Sequence, residues 1–373
     1  MKLIRVLVVD DAVVVRRMLS TLLASDPALE VVGTAATGRI ALAKIPQVNP
    51  DLITLDVEMP EMDGLQTLAA IRKSYPHLPV IMFSTQTERG AAATFDALAL
   101  GANDYVTKPA NVGSVVEAME RIREQLIPKI KLLCGRSSTS QPGLRPGTGP
   151  VRTTGLSPAN GDKEARIDIV AIGASTGGPN ALAELIPTFP ANFPVPVVIV
   201  QHMPPVFTRL LAERLMSRSA VTVAEGVNGG QLVPGRVWIA PGDYHMAVVG
   251  KGVGAKLNLH QRPPENSCRP SADVLFRSVA ESHGPHVLVV VLTGMGQDTL
   301  RGCEAIRHVG GYVLAQDEST SVVWGMPGFV TRAGLAHRVL PLGQMGPEIL
   351  RRVQKGRASV MSRATEQRVQ PCP

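Results

Sequence analysis

The chain has 373 residues, enough for two domains, and a composition of 45% hydrophobic and 18% charged residues that suits packed cores and excludes a disordered polymer. Aromatics make up only 3%, and the formal charge of +7 forms no basic patch interleaved with aromatics, so no nucleic-acid role is supported. The four scattered cysteines read as reduced thiols, the start Met1-Lys2-Leu3-Ile4-Arg5-Val6 breaks into charge too early for a signal peptide, and no apolar run is long enough to cross a membrane, so a cytoplasmic monomer that is not itself a membrane protein is expected.

Apolar strands are predicted over 4–9, 30–35, 52–55, 80–83 and 104–107, with helices over 13–24, near 39–45 and over 111–126. Strands alternating with helices imply a parallel sheet covered on both faces. Polar residues fall at the carboxyl ends of these strands: Asp10 and Asp11, Asp56, Ser84 and Lys108. That edge carries the ligand site in open α/β sheets. Three carboxylates placed together repel unless a cation joins them, and hard oxygen ligands beside an expected phosphate suit Mg²⁺. Such an ion would neutralise charge as a phosphoryl group reaches Asp56, with Lys108 and the Ser84 hydroxyl meeting its oxygens. A strand-end Asp is commonly a helix cap, but five matched positions weigh against caps alone.

The first 127 residues resemble the response-regulator receiver family, a flavodoxin-like five-stranded parallel fold. The marks are Asp10-Asp11, the run Asp56-Val57-Glu58-Met59-Pro60-Glu61-Met62-Asp63-Gly64-Leu65, Ser84 and Lys108-Pro109. The resemblance implies that Asp56 accepts the phosphoryl group. It also implies that Asp10, Asp11, Asp56 and the Glu58 carbonyl hold Mg²⁺, and that a cis bond precedes Pro109.

Over 128–166 the pattern dissolves. Ser137-Ser138-Thr139-Ser140-Gln141-Pro142-Gly143 and Pro146-Gly147-Thr148-Gly149-Pro150 cannot build a core and read as a flexible linker. Its apolar start, 130–133, has the alternative of packing at an interface.

A second α/β domain is expected over 167–350. It opens with a strand over 169–172 that runs into Gly173-Ala174-Ser175-Thr176-Gly177-Gly178-Pro179 and a helical segment. Strand, glycine-bounded serine and helix is the layout of a nucleophile elbow. A phosphate-binding or purely structural glycine turn is the alternative. Further strands are predicted over 195–200, 237–240, 287–292 and 312–315, a hairpin over 246–260, and helices over 206–216, 271–283 and 299–308. The expected architecture is a doubly wound, mainly parallel sheet with one β-hairpin.

Ser175, His202 and Asp298 follow three different strands. A serine hydroxyl needs a base to become a nucleophile, a histidine serves near neutral pH, and a carboxylate can hold the imidazole in one tautomer. His245 and His283 compete as the base, and Asp243, Asp273 and Asp317 as its orienter. A dinucleotide turn would place Gly where Ser175 stands and an acid where Gln201-His202 stands. An α/β-hydrolase would run Ser, acid, His, not Ser, His, Asp.

Taken together, the chain resembles the chemotaxis protein-glutamate methylesterase family. The marks are the Ser175 turn, Gln201-His202-Met203-Pro204, Ala240-Pro241-Gly242-Asp243, Arg269-Pro270-Ser271-Ala272-Asp273-Val274-Leu275-Phe276, Leu292-Thr293-Gly294-Met295-Gly296 and Ala315-Gln316-Asp317-Glu318. The resemblance implies a catalytic triad of Ser175, His202 and Asp298, with Thr176 and the Met295 N–H at the oxyanion site. It implies hydrolysis of methylated glutamates, and deamidation of glutamines, on chemoreceptor helices without a cofactor for that step. A chemotaxis histidine kinase would be the phosphodonor. A non-catalytic phospho-dependent binding module, or an esterase acting on another protein, are the alternatives. Thr299 stands where the family usually has Gly, and Cys268 where it often has His. A basic tail is expected over 351–373.

Overall fold

The computed structural model describes residues 3–108, 115–135, 166–355 and 357. Five parallel strands, β1 (Ile4–Val9), β2 (Leu29–Ala35), β3 (Leu52–Asp56), β4 (Val80–Ser84) and β5 (Asp104–Thr107), form the first sheet in the order β2-β1-β3-β4-β5. Helices α1 (Val13–Ala24), α2 (Gly38–Val48), α3 (Gly64–Ser74), α4 (Glu88–Ala99) and α5 (Val115–Leu133) cover its two faces. Of these, α3 and α4 lay unassigned in the sequence. Helix α3 starts where it does because Asp63 and Gln66 form a reciprocal capping box. Gly64 follows because a Cβ there would lie 2.2 Å from the Asp56 carbonyl oxygen.

Helix α5 runs to Leu133, past the expected end at 126 and past Pro128. The sequence change at Pro128 is a poor boundary because Ile127 and Ile130 on the same helix are buried against the first sheet. The cis bond expected before Pro109 lies outside the described residues, as does most of the expected linker.

The strands of the second sheet are β6 (Ile169–Ala174), β7 (Val197–Gln201), β8 (Thr222–Glu225), β9 (Arg236–Ile239), β12 (Val287–Val291), β13 (Tyr312–Gln316) and β14 (Arg338–Leu340). They are parallel throughout, in the order β14-β13-β12-β6-β7-β9-β8. The expected hairpin forms from β10 (His245–Val249) and β11 (Lys256–His260), paired antiparallel as a separate ribbon. Helices α6 (Gly178–Leu185), α7 (Phe207–Met216), α8 (Ala272–His283), α9 (Leu300–His308), α10 (Met326–Arg332) and α11 (Leu342–Gln354) complete the domain. The short edge strands β8 and β14 and the helices α10 and α11 lay unassigned in the sequence. Helix α11 corrects the start of the basic tail: Arg351 and Arg352 belong to it, and both pair with Glu348.

The centre of the second sheet is buried aliphatic sequence, Ile169 to Ile172 and Val287 to Val291. Such continuous apolar runs are what a parallel strand covered on both faces requires. That rigid centre fixes the strand ends from which the polar residues project.

Candidate functional site

At the first sheet's carboxyl edge, Asp10, Asp11 and Asp56 each offer an oxygen within 4.8 Å of the others. Lys108 Nζ lies 2.7 Å from Asp56 Oδ2 and 3.0 Å from Asp10 Oδ2. The second contact is an ion pair without hydrogen-bond geometry, and Asp10 Oδ2 remains buried with no hydrogen bond. A buried carboxylate oxygen without a donor fits a hard cation, and the all-oxygen donor set fits Mg²⁺. Burial, with the charge of Asp10 adding, pushes the Asp56 carboxyl up to about 6 against the pull of Lys108. The Glu58 N–H reaches Asp56 Oδ1 at 3.4 Å, which puts its backbone at the rim of the cluster. The Ser84 hydroxyl instead donates to the Gly90 carbonyl of α4 at 3.0 Å.

In the second domain, Ser175 and His202 leave the ends of the neighbouring strands β6 and β7. The His202 N–H donates to the Ala174 carbonyl at 3.1 Å, and Gln201 Nε2 donates to the Ser175 carbonyl at 2.9 Å. Helix α6 starts immediately behind, with Gly177 at a φ of 77° and Gly178 so close to Gln201 that a Cβ would meet its Oε1 at 1.9 Å. Asp298 follows β12, on the other side of β6. His202 Nε2 and Asp298 Oδ2 are 2.7 Å apart. A carboxylate only accepts, so Nε2 carries a proton, and in the neutral ring the lone pair is then on Nδ1. The Ser175 hydroxyl is partly accessible and makes no hydrogen bond among the described residues. Apo catalytic contacts are often long and tighten only with substrate. The N–H groups of Thr176 and Met295 also lack acceptors among the described residues, which leaves them as donors for an oxyanion.

Asp298 is held by groups that sequence reasoning did not single out for this role. Its carboxylate accepts from Ser271 Oγ at 2.7 Å, the Ala272 N–H at 2.6 Å, the Asp273 N–H at 3.0 Å and Asn266 Nδ2 at 3.0 Å. The carboxylate therefore sits on the N-terminus of α8, where unpaired amides and the helix dipole favour a negative charge. Although burial opposes it, His202 and these donors hold Asp298 down at about 2. Asn266 also donates to Asp273 at 2.9 Å, and Asp273 accepts from the Thr299 and Gly302 N–H groups. The signal in the sequence was the Ser271-Ala272-Asp273 run, whose role no spacing rule gives. Of the competing residues, His245 accepts the Ser271 N–H and faces the Pro263 carbonyl, and Asp243 pairs with Arg269, so neither approaches Ser175 by a hydrogen bond. His283 bonds Ser282, and Asp317 bonds Ser319 and Thr320.

Burial pulls the His202 pKa down, while Cys268 and Asp298 push it up, and the balance lies above the ordinary 6.5.

The receiver edge rests on this region. The Thr176 hydroxyl donates to Asp104 Oδ2 at 2.8 Å, and Asn180 Nδ2 donates to the Leu98 carbonyl at 2.9 Å. Tyr105 stacks on Phe207 with ring centroids 4.9 Å apart, and Arg214 pairs with Asp96 at 2.7 Å. Arg209 pairs with Glu88. Among the described residues no helix is long and apolar enough to cross a membrane.

The two sheets define a receiver-coupled α/β enzyme. Family models agree: CheB methylesterase matches residues 170–349, and the response regulator receiver domain matches 6–120. A protein-glutamate methylesterase/protein-glutamine glutaminase of Trichodesmium erythraeum is 56% identical over 351 residues, covering 94% of this chain and 99% of that protein. Its counterpart in Nocardioides sp. is 53% identical over 358 residues, covering 96% of this chain and 98% of that protein. The crystal structure of the Thermotoga maritima CheB methylesterase catalytic domain matches with 41% identity and a TM-score of 0.49, over 50% of this chain and 99% of that one. The chain belongs to the protein-glutamate methylesterase/protein-glutamine glutaminase (CheB) family.

Proposed function

We propose that the protein is a phosphorylation-activated protein-glutamate methylesterase and protein-glutamine deamidase that acts on methylated chemoreceptor helices. The observation that carries this reading is the His202–Asp298 pair at 2.7 Å, standing beside Ser175 on adjacent parallel strands.

His202 Nδ1 takes the proton of Ser175 Oγ, which attacks the side-chain carbonyl carbon of the methyl ester. The Met295 N–H and Thr176 receive the oxyanion. His202 returns the proton to the departing methoxide, and methanol leaves. Water then gives a proton to His202 and adds to the acyl-serine, which collapses to glutamate and restores the Ser175 hydroxyl. With glutamine the first leaving group is ammonia. Asp298 holds His202 throughout, and proton transfer of this kind contributes roughly 10²–10⁴ in rate.

Control is mutual occlusion. With the receiver docked, the Thr176 hydroxyl is engaged by Asp104 and is not free to stabilise an oxyanion. A chemotaxis histidine kinase supplies the phosphoryl group to Asp56. Asp10, Asp11, Asp56 and the Glu58 carbonyl would hold Mg²⁺, whose chemistry there is charge neutralisation during that transfer. Lys108 pairs with the new phosphoryl group, and Ser84 turns to it from the Gly90 carbonyl. That releases α4, which carries Glu88, Asp96 and the Leu98 carbonyl to the catalytic domain.

The test is methanol release from methylated receptor, with and without a small phosphodonor. Wild type should release methanol faster with the phosphodonor, and Ser175→Ala should release none above background. Release by Ser175→Ala at the wild-type rate would overturn the mechanism. No release by wild type under either condition would overturn the activity.

A further inference from the structure

Cys268 Sγ lies 3.8 Å from His202 Nδ1, the ring nitrogen that faces away from Asp298. The thiol is held there by a rigid turn. Glu265 and Cys268 exchange both backbone hydrogen bonds, at 3.1 and 2.9 Å, around Asn266 and Ser267 with φ of 52° and 60°. Two central residues in the left-handed region make the tight hairpin turn that fixes its flanks. Arg277 forks onto both oxygens of Glu265 at 2.7 and 2.6 Å, and Asn266 bonds Asp298, so the turn is pinned on both sides.

A histidine that ligates a metal usually gives its other ring N–H to a carboxylate, which fixes the tautomer and aims the lone pair. Asp298 does this to His202 at 2.7 Å. Asp298 is itself filled by its donors from Asn266, Ser271, Ala272 and Asp273, so it serves as the outer partner and not as a ligand. A tetrahedral zinc ion, with Zn–S of about 2.3 Å and Zn–N of about 2.0 Å, sets its sulfur and nitrogen roughly 3.5 Å apart. The measured 3.8 Å is within a few tenths of that separation. Both side chains are partly accessible, and water would have to fill the other two positions.

We propose that Cys268 and His202 form an inhibitory site for a thiophilic divalent cation, with Zn²⁺ as the ion. On binding, the Cys268 thiol and, where His202 is an imidazolium, its Nδ1–H give up their protons to solvent, the thiolate and Nδ1 each donate a lone pair to Zn²⁺, and nothing is oxidised or reduced. The ion takes the lone pair that Ser175 needs. The inhibitory consequence rests on His202 acting as the base, but the binding does not.

The experiment uses the full chain after chelator treatment. Co²⁺ should bind with a thiolate-to-metal charge-transfer band in the near ultraviolet, and Zn²⁺ should bleach that band. Cys268→Ser and Cys268→Ala should both lack it. Methanol release from methylated receptor should fall at least tenfold with stoichiometric Zn²⁺ in wild type and stay within twofold in both variants, while Mg²⁺ has no such effect. No band in wild type, or the same band in both variants, would overturn the site. Unchanged methanol release in wild type bearing the ion would overturn the inhibition. Methanol release by the metal-free protein tests the esterase reading separately.

Discussion

The hydroxyl of Thr176 donates to Asp104 Oδ2 at 2.8 Å, joining the residue after Ser175 to the last strand of the receiver. Lys129 Nζ, on the part of α5 beyond Pro128, sits 2.8 Å from the same oxygen. A hydrogen bond to a charged group is worth roughly 1.5–3 kcal/mol, and about 1.4 kcal/mol is tenfold in an equilibrium. Asp104→Ala should therefore raise methanol release by the unphosphorylated protein about tenfold or more. A rate no higher than wild type would show that this contact does not restrain the enzyme.

Mg²⁺ should stabilise the protein, and more so as the pH rises. Burial raises the Asp56 carboxyl from an ordinary 3.8 to about 6 in the fold. Between those values the native state holds more protons than the unfolded chain, so the metal-free protein loses stability as pH rises through that window. A cation beside Asp56 removes the cause of the loss. The gain in Tm on adding Mg²⁺ should be small near pH 4.5 and larger at pH 7, and a gain independent of pH would count against Asp56 as a ligand.

Thr299 adopts a φ of 125° and a ψ of −21°, in the region that favours glycine. Its hydroxyl is buried without a hydrogen bond. Strain of this kind costs of order 1–3 kcal/mol. Thr299→Gly should raise stability by about 1 kcal/mol after loss of the buried methyl, a Tm increase of about 2–4 °C. A lower Tm would mean that the methyl packing beside Gly173 outweighs the strain.

Removing the Cys268 thiol removes one of the groups that raise the His202 pKa. The base must be neutral to accept the proton of Ser175, so the acid limb of kcat/KM should move to lower pH in Cys268→Ser. A limb that stays in place, or moves up, would show that Cys268 does not tune His202.

The two folds were legible because their strands are short apolar runs that end in polar residues, as at Val9-Asp10 and Val200-Gln201-His202. The edge strands β8 and β14 were not legible, because a partly exposed strand such as Thr222–Glu225 lacks the continuous apolar signal. The closing helix α5 was cut short because Pro128 reads as a stop, although tertiary burial of Ile130 carries the helix through it. The meeting of His202 with Asp298 was anticipated from strand-end position. The amides of α8 that hold Asp298 were not, because a helix N-terminus offers backbone groups that leave no letter in a sequence. Likewise the letters Asp104-Tyr105 do not name their partners, Thr176 beyond β6 and Phe207 on α7.

The positions 175, 202 and 298 hang from β6, β7 and β12, three neighbours in one hydrogen-bonded lattice. Ser175 and His202 leave their strands directly, while Asp298 is reached through the loop after β12 and tied down by the amides of α8. On the reading proposed above, whatever governs such a site comes from outside, as a cover over its face or a plug in its works.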